Sequence, residues 1–206
     1  GSNGVIIITT KRGKMDGKVS VSYDGFVGIS KSFKDYNMMS GDKWADYLRA
    51  ANPGKTDAEL FVGVTDILEN KNYVDWQDEM FSGTGFQTDN NITVNVGRDN
   101  MSNLVVLGYN KNQSIIDNMS SERFSLRYNG DVELFDRLKL SYSAMYSHRT
   151  TNNGNNSVFQ NGTTLNPVTR IYDDQGALQY YPSPYCESFM QINPKYYVSD
   201  EYLRRK

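Results

Sequence analysis

Glu122–His148, ERFSLRYNGDVELFDRLKLSYSAMYSH, decides how this chain folds. Phe124, Leu126, Tyr128, Val132 and Leu134 fall at every second position, with Gly130 between them, and share one face of a strand. Ser125, Arg127, Asn129, Asp131 and Glu133 share the other. Phe135-Asp136-Arg137 turns the chain. Leu138, Leu140, Tyr142, Ala144 and Tyr146 then oppose Lys139, Ser141, Ser143 and Ser147. Strands in globular domains average about five or six residues, whereas a tilted strand that crosses a bilayer needs about 9–11. Both runs have the greater length.

The same alternation appears upstream. Val19, Val21, Tyr23, Val27 and Ile29 oppose Ser20, Ser22, Asp24, Gly28 and Ser30. Ile92, Val94 and Val96 alternate with Asn91, Thr93 and Asn95, and Leu104 to Tyr109 continue after a polar turn. The expected strands are 19–30, 89–97, 102–111, 122–134 and 137–148. Their connections are by turns long and short, the arrangement of extended outer loops and tight inner turns. The runs therefore predict an all-β fold, a fragment of a large antiparallel transmembrane β-barrel. A soluble β-sandwich, with Leu126, Val132, Leu138 and Leu140 inside its core, is the rival.

Residues 31–88 depart from alternation. Ser40 is an N-cap candidate, and Trp44, Tyr47 and Leu48 recur at helical spacing before Asn52-Pro53-Gly54. Further short helices are expected near 57–68 and 76–81, so helical elements belong to the first long loop. Residues 149–206 read as a second long loop, punctuated by Asn166-Pro167, Pro182-Ser183-Pro184 and Asn193-Pro194.

Composition excludes several classes. The formal net charge is −2, and Lys11, Arg12 and Lys14 make too small a cluster to indicate nucleic acid. A single cysteine, Cys186, and a single histidine, His148, almost forty positions apart, offer neither a metal site nor a catalytic triad. No cofactor and no enzymatic activity are expected. Trp44, Tyr73 and Trp76 are the candidate ligand or partner contacts, since aromatic rings stack on sugars or anchor interfaces; packing within the loop competes with that role.

Asn3-Gly4-Val5-Ile6-Ile7-Ile8-Thr9-Thr10-Lys11-Arg12-Gly13 resembles the segment that closes the plug in SusC/RagA-type TonB-linked outer-membrane proteins of Bacteroidetes. Asp75-Trp76-Gln77-Asp78-Glu79-Met80-Phe81, Arg123 to Arg127 and Tyr172-Asp173-Asp174-Gln175-Gly176 resemble further stretches of that family in order. Ser114 stands where the family usually has glycine. The resemblance implies an importer in the cell outer membrane, with a barrel of 22 strands around a plug. It implies uptake of glycan fragments or peptides, a SusD-type surface lipoprotein as lid, outer-membrane lipids around the wall, and energising by TonB through a segment ahead of this chain. Residues 1–14 would end the plug and residues 15–206 would begin the barrel. The alternative is a soluble or surface-attached β-rich binding module.

Overall fold

The computed structural model describes residues 11–33, 36–135, 137–155 and 157–204. The expected plug strand at Val5 to Thr10 lies outside the described residues. Five strands form one sheet in the order β1-β2-β3-β4-β5: β1 Val19–Ser30, β2 Gly85–Arg98, β3 Met101–Gln113, β4 Ser120–Leu134 and β5 Leu138–Asn152. Cross-strand partners fix the register. Tyr23 Oη donates to Asn90 Oδ1 at 2.6 Å, and Thr88 Oγ1 donates to the Phe26 carbonyl at 3.1 Å, so position falls on β1 as it rises on β2. Lys111 meets Glu122 while Tyr128 reaches Asn103, and Ser141 meets Asp131 while Tyr142 reaches Tyr128. These neighbours are therefore antiparallel.

The chain separates into two compact units. The first holds most of the sheet: residues 11–28, 87–112 and 121–150. Its burial is inverted relative to a water-soluble sheet. Val19, Val21 and Val27 are 68%, 68% and 67% exposed, and Leu138 and Leu140 57% and 53%. The buried positions include Ser102, Asn129 and Asp131, with Leu104 among them. The large apolar side chains of β1 and β5 are exposed, while on β3 and β4 the buried positions are mostly small or polar. Gly130 leaves room for the Tyr142 ring, which a methyl at that position would strike. Gly17, at φ 71°, makes the left-handed turn into β1.

The second unit, residues 29–86, 113–120 and 151–204, is helical. It contains α1 Gly41–Ala51, α2 Asp57–Leu60, α3 Thr65–Asn70, α4 Trp76–Phe81, α5 Ser157–Thr164, α6 Pro184–Ser188 and α7 Asp200–Arg204, with a 3₁₀ turn at Pro194–Val198. Three apolar clusters pack it. Ala45, Leu48, Phe61, Val64, Ile67 and Val168 form one. Trp76, Leu165 and Cys186 form a second, and Met80, Val158 and Val198 a third.

This overturns the expected fold class. The chain is not an all-β barrel fragment with helices confined to one loop. It is a mixed α/β structure: an open five-stranded sheet with helices on both long excursions, α5 to α7 falling within residues 149–206. Those helices have only five to eight residues, too few for the 3.6-residue period to show in sequence.

Candidate functional site

A partly open cleft of about 860 Å³ lies within the helical unit, lined by Met38, Met39, Trp44, Tyr73, Asp78 and Phe81 among others. That volume is in the range of small-molecule sites, roughly 300–1,000 Å³. Local sequence builds each wall. Gln77 holds the segment before α1 through both ends of its amide: Tyr36 N–H donates to Gln77 Oε1, and Gln77 Nε2 donates to the Tyr36 carbonyl, each at 2.8 Å. A primary amide paired this way holds both backbone groups of one residue, much as a neighbouring strand would. Ser40 then caps α1, its Oγ 3.5 Å from Lys43 N.

Trp44, on the first turn of α1, packs against Tyr47 at 5.7 Å and edge-on against Tyr185 at 5.9 Å. Tyr73 lies over Gly41, where any side chain would overlap its ring. Its hydroxyl donates to Asp42 Oδ1 at 2.7 Å, and Lys71 Nζ reaches Asp42 Oδ2 at 3.3 Å. Burial and the Asp42 hydrogen bond push the Tyr73 phenol up to about 12. The same bond, with Lys71, draws the Asp42 carboxyl below its ordinary value.

Trp76 forms the floor. It is 3% exposed, and its indole N–H donates to the Asn166 carbonyl at 3.2 Å and to Thr169 Oγ1 at 3.0 Å. Asp75 caps α4, its Oδ1 accepting from Gln77 N at 3.0 Å and Asp78 N at 3.1 Å.

Trp44, Tyr73 and Trp76, the three residues singled out in the sequence, thus line one cleft. Trp44 and Tyr73 are half-buried there, whereas the Trp76 ring is committed to packing. Gln77, Asn166 and Thr169 were not anticipated, although Gln77 sits inside the family-like Asp75 to Phe81 stretch and Asn166-Pro167 stood out as punctuation. The cleft offers stacking and hydrogen bonding. Burial raises the Cys186 thiol, which keeps it protonated and inert. His148 lies on β5, 3.4 Å from Thr150 Oγ1. Among the described residues no cluster of His, Cys, Asp and Glu could hold a metal ion.

No family model matches the chain. It is 33% identical over 186 residues to the TonB-dependent receptor SusC of Bacteroides thetaiotaomicron, a match covering 87% of the chain and 17% of that receptor. A TonB-dependent receptor of Formosa agariphila is 24% identical over 164 residues, covering 80% of the chain and 15% of the receptor. The chain therefore spans about a sixth of these relatives' length. Among solved structures, the RagAB peptide transporter superposes with a TM-score of 0.65 at 20% identity, over 89% of the chain and 24% of its counterpart. The RagAB peptide importer in a closed-closed state gives 0.64 at 21%, over 87% and 24%. At that identity the superposition speaks for the fold.

Proposed function

We propose that this chain, homologous to SusC/RagA-type TonB-dependent transporters, supplies a binding body to a nutrient importer of the outer membrane. The 33% identity to a SusC receptor across 87% of the chain carries this reading. The helical unit supports it, because its own apolar clusters pack around a cleft of small-molecule size. In this proposal Trp44 and Tyr73 meet either the imported oligosaccharide or peptide, or a SusD-type lipoprotein that closes over it. Trp76 holds the floor beneath them. Residues 1–14 end a plug domain, and TonB acts through chain that precedes it.

The sheet adds to the proposal. Val19, Val21 and Val27 on β1 and Leu138, Leu140 and Tyr146 on β5 are more than half exposed, and burying them against hydrocarbon relieves their contact with water at about 25 cal/mol per Å². Lipid is the proposed neighbour of that face. No helix among the described residues is long and apolar enough to cross a membrane, a fact that does not bear on strands. A second reading, a surface-attached binding module that enters no membrane, draws support from the self-packed helical unit.

One experiment separates these readings. The full-length protein and its Trp44→Ala variant are expressed, fractionated and assayed for uptake of labelled oligosaccharide or peptide. The proposal expects both proteins in the outer-membrane fraction, with uptake several-fold lower in the variant. Equal uptake removes the cleft from function. Recovery solely as a soluble monomer ends the import reading and leaves the free binding module.

A further inference from the structure

Residues 11–18 lie across the covered, polar face of the sheet, and their attachment is unusual in composition. Arg12 Nη1 donates to Asp131 Oδ1 at 2.7 Å, and that same oxygen accepts from Ser141 Oγ at 2.5 Å. Asn129 Nδ2 donates to the Lys11 carbonyl at 2.8 Å. Lys14 N–H donates to Asn95 Oδ1 at 3.1 Å, and Gly97 N–H to the Lys18 carbonyl at 2.9 Å. Glycines permit the close approach. A methyl on Gly97 would overlap the Lys14 carbonyl, and one on Gly13 would crowd Asn95 and Ser102.

Met15 is the segment's one apolar side chain with partial cover, and no side chain of residues 11–18 is fully buried. The remaining positions are exposed apart from half-buried Gly13. A segment held chiefly by polar contacts, with most of its side chains exposed, opens at a small fraction of the cost of unfolding the sheet. The Arg12 side chain is 41% exposed while that of Asp131 is 5% exposed. Lifting the segment therefore hydrates an arginine easily and uncovers the Asp131 carboxylate, to which Ser141 still donates.

The geometry points to residues 11–18 as a releasable strap, with the Arg12–Asp131 pair as its fastening. Closed, it covers Asn95, Asn129, Asp131 and Ser102, whose buried hydroxyl has no hydrogen-bond partner among the described residues. Open, it exposes a continuous strip of polar side chains across β2, β3 and β4. This inference is independent of the import proposal, since it concerns only the segment and the sheet beneath it.

Amide hydrogen exchange of residues 11–18 in the full-length protein tests it, with β3 as internal reference. Arg12→Gln and Asp131→Asn are each expected to speed exchange of the segment about tenfold, with β3 unchanged. The double variant should do no more than the larger single change, because both remove one interaction. Gly97→Ala should speed it too, by pushing on the Lys14 carbonyl while the ion pair's side chains remain. Should Asp131→Asn also loosen β3, the exposed Arg12→Gln decides. Wild-type exchange in Arg12→Gln, or additive effects in the double variant, overturns the strap.

Discussion

A few side chains set the local chemistry, and the pair Asp42–Tyr73 is the most readily measured. The phenol donates to the carboxylate while its ring lies over Gly41, so the two groups shift in opposite directions. For Tyr73 the folded value is raised above the ordinary tyrosine value of about 10. Its stabilising contribution is complete below that pH and is lost as pH rises through about 12. For Asp42 the folded value is lowered; its contribution is present above the ordinary carboxylate range and is lost as pH falls through the lowered value. Ultraviolet difference titration, comparing the full-length protein with Tyr73→Phe, should show one phenol ionising near 12, after most tyrosines. Ionisation of that phenol near 10 would contradict the geometry. Tyr73 was legible in the sequence as an aromatic candidate, but Asp42 was not, since thirty-one positions separate the partners.

At the scale of elements, short segments are stitched by buried amides rather than by long helices. Asn193 is fully buried; its Nδ2 donates to the carbonyls of Ile171 and Gln179 at 3.0 and 2.9 Å, and its Oδ1 accepts from Lys195 N at 3.0 Å. Asn193→Asp keeps the shape but removes both donations and turns a carboxylate toward two carbonyls. The Ile171 carbonyl still accepts from Gln179 N–H, so the Gln179 carbonyl is the one that loses its donor. A loss of about 1–3 kcal/mol is expected, seen as a lower denaturation midpoint and faster proteolysis between 171 and 193. Wild-type midpoint and cleavage would refute the stitching role. The sequence displayed this position and concealed its meaning. Ser183-Pro184 and Asn193-Pro194 read as loop punctuation, yet in each the first residue caps and the proline opens a helical turn. By contrast Ser40 and Asn52-Pro53-Gly54 bounded α1 visibly, because eleven residues suffice for an apolar stripe to repeat.

For the whole molecule, period-two alternation from Phe124 to Tyr146 conveyed which side chains share a face, because strand geometry alone enforces it. It did not convey that both excursions would carry helices, which arise from contacts between distant segments such as Trp76 with Asn166 and Thr169. The account's central claim concerns the uncovered apolar face of the sheet and lipid. Nitroxide labels placed one at a time from Leu138 to Ser147 in the full-length, membrane-reconstituted protein test it, through collision with oxygen and with a water-soluble nickel complex. The account predicts a period of two, with oxygen favoured at 138, 140, 142, 144 and 146 and the nickel complex at the positions between. Uniform access of the nickel complex at both sets of positions would contradict it.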